Sequence, residues 1–262
     1  MSDLSEQEVQ LIAQALLEAR DRRVPIEPVT DRYPDLDLWG AYRIQQELIR
    51  RLTANGDSLG AYKLGLTSKA MQEMLKVDSP DFSPVLTSAI FTGDSTVELN
   101  QFIAPRVEAE IGVLLAKDLS GPSCTADDVL AAAAGAVAAI EIVDSRIRDW
   151  KIRLADTVAD LASNGAIVVS ETVVPIDFDP RLVGLVFTRN QEMVATSAGA
   201  AALGSPLQAV AWLANTLAEA GESLKSGTIV MTGALHAMVP ANPGDCFVAE
   251  FDRLGSLTLS VS

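Results

Sequence analysis

The spacing of apolar residues changes character along the chain. In SEQEVQLIAQALLEARDRR, Val9, Ile12, Ala13, Leu16 and Leu17 recur at helical intervals, and Ser5 and Glu8 stand at capping-box spacing. This predicts an amphipathic helix. A second helix is predicted from about Asp37 through LWGAYRIQQELIRRLTA, with a stop at Asn55-Gly56. GAYKLGLTS then reads as a short strand and turn, and Ser68 is placed to cap a helix through KAMQEML. VDSPDFSP is a polar loop punctuated by prolines.

From about residue 85, strands with intervening helices take over. Thr125 and Asp128 can box the start of an alanine-rich helix, which gives way to the strand AAIEIV. DWKIRLADTVADLAS predicts a helix ended by Gly165, followed by the strand AIVVS. GLVFTRNQEMVATS predicts a hairpin turning at Asn190-Gln191. Ser205-Pro206 has the form of a helix start, and that helix runs to Gly221. GTIVMTG, CFVAEF and SLTLSV close the chain as strands. The irregular alternation argues against a regular βαβ barrel. It points to one mixed α/β domain, rich in strands, behind a helical N-terminal part.

The run PRVEAEIGVLL, residues 105–115, holds two glutamates inside apolar surroundings. A helix would point Glu108 and Glu110 to nearly opposite sides. A strand, with period two, puts Val107, Ala109, Ile111, Val113 and Leu115 on one face. Arg106, Glu108, Glu110 and Gly112 then share the other. Two carboxylates that close repel unless a cation or a proton sits between them. A polar strand edge facing solvent is the plainer alternative.

Charge and composition narrow the field. The 262 residues suffice for a large core, and the net charge of −15 argues against nucleic acid and anionic membrane surfaces as partners. The cysteines, Cys124 and Cys246, suggest neither a disulfide framework nor a zinc cluster. The acidic first helix is unlike a signal peptide, and Glu141 interrupts the longest apolar run, LAAAAGAVAAIEIV. A cytoplasmic protein is expected.

Glu141 is the third carboxylate of interest. Isoleucines flank it in AAIEIVDS, so it needs a cation, a hydrogen-bonding partner or exposure. Should its strand lie beside the first, three oxygen ligands converge. Such a set suits Mg²⁺ or Mn²⁺ better than zinc and leaves positions open for substrate and water. Pairing of Glu141 with Arg146 or Arg148 is the alternative. Lys63, in the glycine-containing turn YKLGLTS, can meet an anion or simply be solvated. Asp78 and Asp81 in VDSPDFS can be chemical groups or turn formers. His236 is a poor triad candidate without a G-x-S-x-G elbow, and SAGAAALGSP fails as a dinucleotide-binding fingerprint.

The ordered set YKLGLTS, VDSPDF, PRVEAEI, AIEIVDSRIRDWKI, DTVADLASNG, SAGAAALGSPLQAVAWLANTL and MTGALHAMVPANPGD resembles the 2-hydroxypenta-2,4-dienoate hydratases of the fumarylacetoacetate hydrolase-like superfamily. The resemblance runs from about residue 35 to the end. It implies a β-rich roll or barrel core with flanking helices over residues 61–262, preceded by a helical region over residues 1–60. It also implies a Mg²⁺- or Mn²⁺-dependent hydro-lyase of a meta-cleavage pathway for aromatic or steroid-ring degradation. That enzyme would convert a 2-hydroxydienoate, through its 2-oxo-3-enoate form, to a 4-hydroxy-2-oxo acid. The implied metal ligands are Glu108, Glu110 and Glu141. Lys63 and Asp81, assisted by Asp78, are the implied catalytic groups, and Lys63, Leu66, Asp160 and Ser163 the implied substrate contacts. DLASNG keeps Asp160 and Ser163 of the family pattern but departs from it at Leu161 and Asn164. A homo-oligomer is implied, with possible association with a pathway decarboxylase or aldolase. A 4-oxalocrotonate-type decarboxylase, an acylpyruvate hydrolase with a Glu–His pair, and a non-catalytic partner of a pathway enzyme are the competing readings.

Overall fold

The structure is a computed structural model that describes residues 4–54, 56–68, 72–73, 77 and 79–262. Asp78 and most of the helix expected after Ser68 lie outside the described residues.

The N-terminal helices form as their patterns predict. α1 (Glu6–Arg22) opens on the Ser5–Glu8 capping box and ends at Arg23 in the left-handed conformation. The short α2 (Val29–Arg32) leads to α3 (Leu38–Ala54). Val9, Ile12, Leu16, Ile44 and Leu48 share one apolar cluster with Val158 and Leu161, far along the chain. The helical region is therefore packed directly onto the segment that follows the second glutamate strand. Gln45 reinforces the join: its Nε2 donates to Val158 O at 2.8 Å and to Phe82 O at 3.1 Å.

Strands β1 (Leu59–Gly65), β2 (Asp81–Leu86), β3 (Ile90–Thr92) and β4 (Ser95–Val97) come next, then β5 (Arg106–Leu115). After α4 (Ala126–Ala132) follow β6 (Ala133–Val143), α5 (Leu154–Ala159) and β7 (Asn164–Val169). The hairpin β8 (Gly184–Arg189) and β9 (Glu192–Ala198) turns at Asn190 and Gln191, both at positive φ. α6 (Pro206–Glu219) precedes β10 (Ile229–Met231), β11 (Val239–Pro240), β12 (Cys246–Phe251) and β13 (Gly255–Val261).

These strands make two sheets. The larger runs β2-β1-β10-β5-β6-β7-β3, with β11 also pairing β5, and the smaller runs β4-β13-β12-β8-β9. Val107, Ala109, Ile111, Ile140 and Ile142 of the larger sheet pack against Phe187, Phe247, Leu257 and Leu259 of the smaller. Burial of that face commits the register of β5, because a slip by one residue would drive its glutamates into the apolar core. The larger sheet also curls until β2 touches β7 and the turn before it. The result is the mixed α/β, β-rich roll with flanking helices. Among the described residues no helix is long and apolar enough to cross a membrane.

Two expected helices are much shorter than their patterns suggest. The alanine-rich stretch leaves the helix at Ala132 and runs as strand from Ala133. Pairing with β5 on one side and β7 on the other overrides the helix preference of alanine. DWKIRLADTVADLAS keeps helix only over Leu154–Ala159. Before it, Asp149 and Trp150 take positive φ, and after it Leu161, Ala162 and Ser163 do the same. The helix ends there because Asp160 is captured by Arg146: its carboxylate accepts from the Arg146 amide at 2.8 Å and from Nε.

Arg146 and Asp160 are both buried. Asp160→Ala should therefore strand the guanidinium and cost about 3–5 kcal/mol. A urea titration of the variant is expected to show that loss; a midpoint unchanged from wild type would refute the pair's role.

Candidate metal centre

Cross-strand pairing delivers the third carboxylate to the first two. β5 and β6 run antiparallel with Glu108 directly opposite Glu141, and Glu110 stands two residues further along the same face. One carboxylate oxygen from each of the three lies within 4.8 Å of the others. Glu110 and Glu141 are buried, while Glu108 keeps some exposure.

The hydrogen bonds around them are one-sided. Glu141 Oε1 accepts from Asn164 Nδ2 at 2.9 Å and lies 3.4 Å from Lys63 Nζ. Glu110 Oε2 accepts from the Gly233 amide at 2.8 Å. Among the described residues, Glu141 Oε2 and Glu110 Oε1 are buried without a donor, as is Asp81 Oδ1. Buried acceptors left without donors are costly, so this arrangement fits a cation at the meeting point. An all-carboxylate donor set suits Mg²⁺ or Mn²⁺. The alternative pairing of Glu141 with an arginine does not occur: Arg146 holds Asp160 and Arg148 holds Glu27.

Lys63 and Asp81 reach the same place from the curled edge of the sheet. Lys63 lies opposite Ser83, and Gly65 opposite Asp81, so all four share one face of the β1–β2 pair. Glycine at position 65 leaves room for the Asp81 carboxylate, which a methyl there would displace. Lys63 is buried, and its Nζ donates to Ala162 O at 2.8 Å. That carbonyl is presented by the left-handed run at Leu161, Ala162 and Ser163, with φ of 53°, 48° and 55°. Non-glycine residues hold such angles only where their surroundings enforce them, at about 1–3 kcal/mol each.

Electrostatics follows from this crowding. Burial, then the neighbouring Glu141 charge, pushes Glu108 up to about 8. The same two causes, with Glu108 added, push Glu110 well above the carboxylate range. Burial raises Asp81 against the pull of Lys63. Burial alone would lower Lys63, but Glu141, Asp81, Glu108 and Glu110 together outweigh it and hold the ammonium charged. Without a dication the cluster favours bound protons; a dication takes their place.

The other sequence candidates stand further back. The Asp160 carboxylate is engaged by Arg146, and burial pushes it up to about 6 despite that partner. Ser163 Oγ lies 3.0 Å from Thr157 Oγ1. Both thus brace the turn that feeds Ala162 O to Lys63. Leu66, at φ 55°, follows Gly65 directly, and its carbonyl accepts from Gln72 Nε2 at 2.7 Å. His236 lies off the cluster, stacked on Phe187 at 4.4 Å between the sheets. Its Nε2 accepts from the Ala109 amide at 3.0 Å and its Nδ1 contacts Ala237 O at 2.7 Å, so the ring is no base for a Glu–His pair. Sequence reasoning passed over the Gly233 amide and the Ala162 carbonyl, which backbone groups never announce. Asn164 was visible only as a departure from the family pattern.

Comparison with known proteins identifies the family. The fumarylacetoacetate (FAA) hydrolase C-terminal family matches residues 61–262. A 2-keto-4-pentenoate hydratase of Paraburkholderia xenovorans (strain LB400) is 42% identical over 246 residues, 94% of this chain and 91% of its own length. A 2-hydroxyhexa-2,4-dienoate hydratase of Comamonas testosteroni is 38% identical over 262 residues, 99% of this chain and 98% of its own. Among solved structures, 4-oxalocrotonate decarboxylase from Pseudomonas putida G7, complexed with magnesium and adipate, matches at TM-score 0.97 and 34% identity, covering 100% of both chains. On the strength of a family match across residues 61–262 and relatives aligned over nearly its whole length, the chain belongs to the fumarylacetoacetate hydrolase family.

Proposed function

We propose that the protein is a divalent-metal-dependent hydratase that adds water to 2-hydroxypenta-2,4-dienoate or a short alkyl homologue, giving a 4-hydroxy-2-oxo acid. The observation that carries the reading is the meeting of three carboxylates, two with donorless buried oxygens, beside a buried charged lysine. The hydratase relatives at 42% and 38% identity favour this chemistry over others of the fold.

Glu108, Glu110 and Glu141 hold the ion, which when bound supplies Lewis acidity toward a 2-oxo acid. Lys63 does two jobs. It offsets part of the carboxylate charge, and it offers its remaining donors to an anionic substrate and to charge developing at the 2-oxygen. Asp81 handles protons: an acid raised by burial can release a proton to the terminal carbon during ketonisation. It then accepts one from the water whose oxygen bonds the alkene carbon remote from the ketone and passes it to the carbon beside the ketone, while the proton lost by the 2-hydroxyl restores the acid. Asp78 is the proposed assistant in that exchange. Leu66, directly after Gly65, is the proposed apolar contact for substrate, while Asp160 and Ser163 act by holding the turn behind Lys63. The proposal extends to a self-associating enzyme of an aromatic meta-cleavage pathway, supported by Met193 and Val194 left exposed on the edge strand β9.

Decarboxylation is the second reading, favoured by the structural match at TM-score 0.97. An assay with Mg²⁺ or Mn²⁺ separates the two. Loss of dienoate absorbance without CO₂ release is expected, and CO₂ evolved from the dicarboxylic 2-oxo acid with no dienoate turnover would reassign the enzyme. Exhaustive chelation should abolish turnover, and added Mn²⁺ should restore it; full activity in the chelated protein would sink the metal role. Lys63→Met is expected to lower kcat by about 10²–10³-fold while Mn²⁺ still binds. Gly65→Ala, which displaces the Asp81 carboxylate, should lower kcat by about 10²-fold or more, and wild-type turnover in that variant would remove Asp81 from the mechanism.

A further inference from the structure

Strand β7 pairs with β6 in an uneven register. Glu141 lies opposite Ile167 and Ile142 opposite Ala166, but Val143 lies opposite Asn164, leaving Gly165 as an extra residue. In an unbroken ladder Val143 would face residue 165, and residue 164 would point away from the glutamates. The bulge turns position 164 onto the face that carries Glu141 and Val143. Glycine permits it, since a Cβ at position 165 would stand 2.8 Å from Ile142 O. The Asn164 carbonyl is fixed in turn by Arg146 Nη1 at 2.8 Å.

The consequence is a division of labour between the two oxygens of Glu141. Oε1 accepts from Asn164 Nδ2 at 2.9 Å and faces Lys63 Nζ at 3.4 Å, whereas Oε2 is buried without a donor. Lys63 alone does not fix that choice, because its ammonium is shared with Ala162 O. The planar amide holds the carboxylate from a strand that supplies no ligand of its own.

We infer that Asn164 is a positioning residue for the metal: delivered by the Gly165 bulge, its amide holds Glu141 Oε1 and leaves Oε2 directed at the ion. The inference rests on the reading of Glu108, Glu110 and Glu141 as ligands. It assigns to Asn164 no contact with substrate. Partners that orient a metal ligand typically govern about 10–100-fold in metal affinity.

The test is calorimetric titration of the metal-stripped protein with Mn²⁺, with no substrate present. Asn164→Ala removes the donor, and Asn164→Leu removes it while keeping the γ-branched side-chain shape, which serves where the alanine variant fails to fold. Both are expected to bind Mn²⁺ at least about 10-fold more weakly than wild type. At saturating Mn²⁺, kcat should return to within about threefold of wild type with the substrate KM unchanged, whereas loss of a substrate contact would raise KM or leave kcat low at every Mn²⁺ concentration. Wild-type Mn²⁺ affinity in whichever variant folds overturns the inference while leaving the hydratase reading intact. A wild-type chain that binds no Mn²⁺ overturns both.

Discussion

Mutual repulsion among carboxylates crowded on the concave side of one curled sheet is the constraint that the rest of this structure answers to. Glu108, Glu110, Glu141 and Asp81 act on one ammonium, Lys63, and a single charge cannot balance four. The fold lets the imbalance stand rather than removing it. Apolar packing between the two sheets fixes β5 and β6, so the glutamates cannot swing apart by a change of register. What remains is a strong local preference for positive charge, satisfied by protons or by a dication.

Much of the irregular backbone becomes intelligible from that constraint. Lys63 pairs with Glu141 at 3.4 Å, and the hydrogen bond that orients it goes to a carbonyl, Ala162 O, at 2.8 Å. To present Ala162 O, three consecutive residues adopt left-handed φ, and the buried Arg146–Asp160 pair anchors them. Arg146 also binds the carbonyls of Asp144 and Asn164, so one guanidinium ties the end of β6 to the start of β7. The bulge at Gly165 directly follows the second of those ties. Strain and support are thus adjacent in sequence, within residues 144–165.

The sequence made the regular parts legible and left the supports obscure. Alternation in PRVEAEIGVLL predicted both the strand and the side-by-side glutamates, because a period of two allows no other common element. The capping boxes at Ser5 and Thr125 marked helix starts correctly. The alanine-rich run failed as a guide because its local preference loses to pairing on both sides, which no local pattern reveals. The burial of Lys63 was equally hidden: one lysine in a glycine-containing turn looks like any solvated cation until the sheet curls over it. The family resemblance picked out Lys63 and Asp81; the residue pattern alone did not.

The helical N-terminal region bears on the chemistry through this same curl. Asp81 opens β2, at the free edge of the large sheet, where a strand has a neighbour on one side only. Its position relative to Lys63 and the glutamates therefore depends on what backs β2 from outside. Gln45 of α3 supplies that backing, linking the Phe82 carbonyl, next to Asp81, with the Val158 carbonyl on the helix that leads into the left-handed turn. Tyr42, on the same helix, stacks on Phe82 at 5.0 Å, and its hydroxyl accepts from the Phe82 amide at 3.3 Å. One helix face thus links the edge that carries Asp81 to the turn that orients Lys63. The N-terminal helices are then part of the scaffold of the candidate site, adding Gln45 and Tyr42 to the contacts that β1, Tyr62 and Trp212 make with the same edge from within the roll.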